Sequence, residues 1–394
     1  MTLPSSPSRL EVVTKNRVES VDLLKGIVMV LMALDHTRDY FHQTFTLSAL
    51  TEPGLTTWPV YLTRWISHFC APTFCFLAGV SAYMIGKRKT KADLSGFLLK
   101  RGFWLILVEL MLAFVWYFDI HFNNFDLAVI SMLGMSMISL AVLIHLPNNS
   151  LILLFSCLLI AGHNVLDNIH FDNNILWSIL HEFGSFKLPG FTLNVVYPII
   201  PWIGVMSLGY YVGQFYNQPT SAQRKKLFNT IGISAFVVFL IVRSINVYGD
   251  LHAWKSYENA GHTIMSFMNV TKYPPSLLYL LVTLGGAFIF LANSEKLKGR
   301  AIDFFSVFGR VPFFYYILHL SLIRVLAAVA AELTGYGWQL MIQTSFDIDI
   351  KDFGFSLPIV YVIWICIVMM LYPLCKWFDR YKRSHKDQTW LSYL

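Results

Sequence analysis

What most limits the fold of this chain is a repeated feature, the apolar run of about 20 residues, long enough for an α-helix to cross a bilayer's hydrocarbon. Ten such runs lie at 23–43, 60–86, 96–119, 125–146, 149–166, 194–216, 227–247, 274–293, 304–330 and 355–376. The fifth is short and the ninth long, so nine to eleven spans fit the sequence. The composition agrees. Of 394 residues, 56% are hydrophobic and only 13% charged, with a mean hydropathy of +0.55, too apolar for a soluble domain of this size. The expected fold is an all-α polytopic membrane protein, a single helical bundle of about ten transmembrane helices. It occupies 21–376, with tails at 1–20 and 377–394. No linker, low-complexity tract or internal repeat divides it.

The basic residues orient the bundle. With the N-terminus placed in the cytoplasm and the connections alternating, the inner segments hold Arg9, Lys15 and Arg17, "KRKTK" at 87–91 and "RKK" at 224–226. They also hold Lys296, Lys298 and Arg300, then Lys376, Arg380, Lys382, Arg383 and Lys386, making 18 basic residues. The outer segments hold four: Lys187, Lys255, Lys272 and Lys351. This asymmetry follows the positive-inside rule and predicts an even number of spans with both termini cytoplasmic. It also accounts for the net charge of +7, so no nucleic-acid partner is needed.

Other features narrow the class further. The N-terminal residues lack the apolar core of a signal peptide, and the first run ends in "LDHTRD" rather than a cleavage site, so it is expected to stay as an anchor. The five cysteines, Cys70, Cys75, Cys157, Cys366 and Cys375, sit inside apolar runs and have no metal-ligand spacing. No metal is expected. The long outer segments 167–193, 248–273 and 331–354 are rich in aromatic, His, Asn and Gly residues, and some of them are expected to form re-entrant or interfacial helices.

The first run, "DLLKGIVMVLMALDHTRDYFH" (Asp22 to His42), raises the functional question, because it carries Asp35, His36, Arg38 and Asp39 near its outer end. Span 2 adds Arg64 and His68, four apart and so on one helix face. Span 3 brings Glu109, with Asp119 and His121 at its outer end; span 7 brings Arg243; span 9 brings Tyr315, Tyr316, His319 and Arg324. An ionisable side chain in hydrocarbon costs roughly 2.5–3.5 kcal/mol on insertion scales, so these residues are expected to share a protein-lined, wet chamber opening outward.

Lys25 and His36 are eleven residues apart, close to three helical turns, which places them on one face about 16 Å apart along the axis. A histidine there is a natural general base, since its free pKa is near 6.5. Asp39, three residues on, is better placed than Asp35 to bond the ring. Plainer readings stand beside these. Lys25 can snorkel to the inner surface, and an intramembrane histidine often serves as an interhelical hydrogen-bonder. Glu109 reads as a buried hydrogen-bonding or ion-pairing group, His319 as core packing or, beside two tyrosines, a second site residue, and Cys70 and Cys75 as small packing residues, with a thiol nucleophile as the minor alternative.

"SVDLLKGIVMVLMALDHTRDYF" and "WPVYLTRWISHFCAPTFCFLAGVSAYM" resemble the start of the bacterial DUF1624 proteins. Those are related to the catalytic domain of lysosomal heparan-alpha-glucosaminide N-acetyltransferase. The resemblance continues through "VVYPIIPWIGVMSLGYYVG", "KYPPSLLYLLVTLGG", "FGRVPFFYYILHLSLI" and "YPLCKWFDRYKR". More distantly, span 1 is similar to the membrane acyltransferase-3 family, with Lys25 and His36 at the positions of its arginine and histidine. Lysine keeps the charge but loses the bidentate fork.

The resemblance implies transfer of an acyl group, usually acetyl, from cytoplasmic acetyl-CoA or another acyl-CoA to a hydroxyl or amine of a sugar or glycan on the outer side. His36 is then the catalytic candidate, with Asp35 or Asp39 orienting its ring and Arg64 or His68 stabilising the oxyanion. Lys25, Arg101 and Arg310 would meet the coenzyme A phosphates. The expected partners are the bilayer, the acyl-CoA donor and the glycan acceptor. The expected location is a bacterial inner membrane, and a homo-oligomer is compatible with the sequence. The rival is a secondary transporter using the His/Asp/Arg cluster as a proton relay. The absence of matching halves and the gathering of charge on one side count against it. A non-catalytic membrane module is a third reading.

Overall fold

The computed structural model describes residues 19–43, 52–117, 123–217, 220–339, 341, 353–385 and 387–392. Each of the ten apolar segments contains a helix. α1 (Glu19–Phe41) has Glu19 and Asp22 in its first turn and Arg38 in its last, signs that oppose the helix dipole at each end. The second segment is two helices, α2 (Trp58–Ser67) and α3 (Cys70–Gly86), separated by a break at His68 and Phe69. Then come α4 (Lys91–Tyr117), α5 (Val129–Leu143), α6 (Asn149–Gly162), the short α7 (Ile175–Leu180) and α8 (Ile200–Gly213). The rest is α9 (Ser221–Ile245), α10 (Ala260–Met268), α11 (Leu277–Ser294), α12 (Arg300–Arg310), α13 (Pro312–Leu333) and α14 (Leu357–Ser384).

Six helical segments among the described residues are long and apolar enough to cross a membrane: 58–86, 149–166, 221–245, 277–294, 312–333 and 357–384. The other expected spans differ for visible reasons. α1 and α4 are long but carry three or more charges in every 18-residue window, and α5 and α8 have only 15 and 14 residues.

Three expectations need correction. The protein is mostly helical rather than all-α. β1 (Asn124–Leu127), β2 (Gly184–Leu188) and β3 (Phe191–Val195) form a small sheet in the order β1-β3-β2, with β1 parallel and β2 antiparallel to β3. The run at 304–330 is two helices, because Pro312 lacks the amide N–H a continuing helix needs and instead opens α13. The last helix continues past 376 to Ser384. The segment at 248–273 contains one helix, α10.

α1 is the central element, packed by α3, α12, α13 and α14. Its crossing with α12 is a backbone-to-backbone contact. A Cβ on Gly26 would strike the Phe305 carbonyl, and one on Gly309 the Asp22 carbonyl. The same device sets α3 on α8, where Gly79 meets the Met206 carbonyl and Gly209 that of Phe76. Without a hydrophobic drive between helices in lipid, close approach at small residues supplies much of the packing. These crossings fix the N-terminal half of α1, and the site is built along that helix.

Candidate active site

Lys25, Met29, Met32 and His36 follow one another on α1 at spacings of four, three and four residues, which places them in one stripe. The first three line a cavity bounded by α1, α3, α4, α5 and the start of α13, with about 920 Å³ of empty space, its mouth included. The lining is apolar (Leu98, Leu105, Leu133, Met137 and Phe313 among others) except for Lys25, Ser81, Arg101 and Tyr316. Lys25 Nζ donates to Ser81 Oγ at 2.6 Å, and Ser81 donates to the Leu77 carbonyl at 2.7 Å. The cavity thus joins two cations to an apolar shaft.

One turn beyond Met32 the stripe reaches the half-buried His36. Its ring centroid lies 5.5 Å from that of His319 on α13. His319 is fully buried, with Nδ1 2.8 Å from the Tyr315 carbonyl. Its ring stacks on Tyr315 at 5.0 Å and meets Tyr316 edge-on at 5.6 Å. Tyr316 also lines the cavity, so it links the cavity wall to the histidine pair.

Beside the pair lies the charged cluster. Arg38 Nη2 lies 2.6 Å from Asp35 Oδ1 and 2.7 Å from Asp39 Oδ1. Ser67 Oγ donates to Asp35 Oδ1 at 2.8 Å, and Lys272 Nζ reaches Asp35 Oδ2 at 3.4 Å. Burial disfavours the Lys272 ammonium, but Tyr273 and Asp35 outweigh it and hold the amine above the ordinary lysine range. Arg64 lies within electrostatic range of Asp35, Arg38 and Asp39. His68, at the break between α2 and α3, is 4% exposed, and neither ring nitrogen has a hydrogen-bond partner among the described residues. Tyr279 packs edge-on against its ring and donates to its carbonyl at 2.8 Å.

The structure therefore brings Asp35, His36, Asp39, Arg64 and His68 into one cluster and puts Lys25 and Arg101 on the cavity wall. Arg310 is elsewhere. Its Nε donates to Asp379 Oδ2 at 2.8 Å, tying α12 to α14 away from the lining. Glu109 accepts from the amides of Ile130 and Ser131 at 2.6 and 3.0 Å, anchoring the N-terminus of α5. Arg243 donates to the carbonyls of His252, Ser266, Phe267 and Asn269, a structural role in the segment after α9. Asp119 and His121 lie outside the described residues. Among the described residues no group of three or more His, Cys, Asp or Glu is arranged to hold a metal ion.

Sequence reasoning missed Lys272, Ser67 and Ser81, placed Tyr316 with the chamber residues, and left His319 between core packing and a second site residue. Helical spacing was the only signal available, and it cannot pair residues from distant segments. Chemically, the arrangement offers an imidazole between an apolar cavity and a charged pocket, with buried cations able to meet developing negative charge.

A family model described as heparan-alpha-glucosaminide N-acetyltransferase, catalytic, matches residues 17–249. The match includes Lys25, His36, Arg64, His68 and Arg101 and stops before Lys272, Arg310 and His319. No curated protein matches the sequence.

Proposed function

The chain belongs to the heparan-alpha-glucosaminide N-acetyltransferase catalytic family, and from that premise we propose that it is an acyl-CoA-dependent acyltransferase working across a bacterial inner membrane. It moves an acyl group, acetyl by family, from cytoplasmic acyl-CoA to a hydroxyl or amine of a sugar or glycoconjugate on the other side. The observation that carries this reading is the α1 stripe, whose Lys25 end lines an apolar cavity and whose His36 end enters the charged cluster.

In this reading Lys25 and Arg101 meet the coenzyme A phosphates. Arg310, engaged by Asp379, is left out of that role. The eleven-residue rise to His36, about 16 Å, suits the reach from a phosphate to a thioester. His36 removes the acceptor's proton as the new O–C or N–C bond forms. Asp35 and Asp39 stabilise the imidazolium, and Arg64 or His68 faces the oxyanion. The C–S bond then breaks, and the thiolate recovers the proton from His36.

The test uses inside-out membrane vesicles carrying the protein, supplied with radiolabelled acetyl-CoA. The proposal expects label on a lipid-linked or glycan acceptor, dependent on the protein. Uptake of intact solute without labelled acceptor would establish a carrier instead.

A further inference from the structure

The acyltransferase reading leaves open what the acceptor carries besides the hydroxyl or amine it offers. The charges around Asp35 bear on that question. Three cations, Arg38, Arg64 and Lys272, lie with two carboxylates, Asp35 and Asp39. Arg38 bonds both carboxylates through one nitrogen, and Lys272 reaches the second oxygen of Asp35. Arg64 lies within electrostatic range of both carboxylates, yet they bond to Arg38 instead. Its Nε is buried with no hydrogen-bond partner among the described residues. The cluster thus holds one positive charge more than its carboxylates offset.

A second observation comes one turn further along the chain. His68 is 4% exposed, and neither of its ring nitrogens has a partner among the described residues. Buried polar atoms rarely stay in that state. The two side chains, four residues apart, share one helix face and are about 6 Å apart along the axis. Arg64 is half-buried and His68 nearly closed off, so this face runs from a more open position to a closed one.

We propose that Arg64 binds an oxyanion, a carboxylate or a phosphate, carried by the acceptor. The acylated molecule is then an acidic sugar or a phosphosugar rather than a neutral one. The proposal rests on the acyltransferase reading and extends it to the acceptor's chemistry. A planar guanidinium presents paired N–H donors that match two oxygens of either group. The bound anion neutralises the excess charge and lies one helical turn from His68, which is left to face the oxyanion of the thioester. The acceptor's charge therefore sits on the acylated sugar or its neighbour.

The experiment measures equilibrium binding to full-length protein in nanodiscs of zwitterionic lipid, by calorimetry. The probes are methyl glucuronide, glucose 1-phosphate and methyl glucoside, with saturating coenzyme A present to keep phosphate out of the Lys25 cavity. The proposal expects one anionic sugar or both to bind about ten-fold tighter than the neutral sugar. Which one binds tighter separates carboxylate from phosphate. Arg64→Gln should bring the anionic sugar to the neutral sugar's affinity. Arg64→Lys, which keeps the charge and loses the fork, should lower the preference several-fold and so tests the proposal even where Arg64→Gln does not fold. No preference in the parent, or an undiminished one in a folded variant, overturns the proposal. So does a preference that vanishes in nanodiscs of anionic lipid, because Arg64 would then be holding a headgroup. Binding needs no base. If acetyl labelling fails while the preference still follows Arg64, the acyltransferase reading is at fault and the anion site stands.

Discussion

Nη2 of Arg38 stands 2.6 Å from Oδ1 of Asp35, one turn back on the same helix, and only 2% of the arginine side chain is exposed. The same nitrogen also reaches Asp39, so one guanidinium compensates two carboxylates. Removing one member of a buried ion pair typically costs about 3–5 kcal/mol, because the partner's charge stays buried without compensation. Arg38→Ala should therefore lower the thermal unfolding midpoint markedly, with Arg38→Lys in between. An Arg38→Ala protein that unfolds at the parent temperature would show that water or lipid headgroups replace the arginine at no cost.

The cavity makes a separate prediction about donor binding. Lys25→Ala should raise the apparent KM for acetyl-CoA more than it lowers kcat, since a phosphate contact far from the thioester favours ground and transition states alike. Lys25→Arg should be mild, because charge is kept. Ala78→Phe, which fills the shaft, should weaken donor use without unfolding the protein. Unchanged KM in both Lys25→Ala and Ala78→Phe would mean that the donor enters elsewhere.

The buried thiols are expected to be bystanders. Cys70 Sγ donates to the Val28 carbonyl at 3.3 Å and Cys75 Sγ to the Trp202 carbonyl at 3.5 Å, contacts that hold helices together. Replacing both by Ala should leave transfer within a few-fold of the parent. Folded but inactive protein would instead revive a covalent acyl-cysteine step.

Sidedness rests on the basic residues alone. Reporter fusions in the connections at 87–95, 217–226 and 294–303 should read cytoplasmic, and those at 167–193 and 248–273 should read external. A basic connection found outside would overturn the alternation.

How much of this was legible in the sequence depends on range. The Lys25-to-His36 stripe lies within one helix, where periodicity alone aligns the side chains. The Arg64–His68 pair was also visible, although the break at His68 was not, because "WISHFCAPTF" contains no residue that must end a helix before Pro72. Lys272 looked like an ordinary outer-loop cation. Its ion pair with Asp35 spans 237 positions, and no periodicity reports such a contact. The sheet was missed because its strands are four or five residues long: β1 opens the run read as a span at 125–146, while β2 and most of β3 sit in the segment read as a connection at 167–193. Pro312 was a local signal of a helix start, overridden by the length of the apolar run around it. Arg310 lies near a helix end, where it was expected, but which anion it meets is decided by α14.

The most direct measurement is turnover of the His36 variants. His36→Ala and His36→Gln should stay folded and membrane-inserted, because His36 is half-buried beside a charged cluster rather than locked into the core. Loss of a general base costs about 10²–10⁴ in rate. The account therefore predicts that both variants, monodisperse by size exclusion and still able to bind acetyl-CoA, lose acetyl transfer by at least that range's lower bound. Near-parental turnover in both would contradict it and move the search for the base to His68.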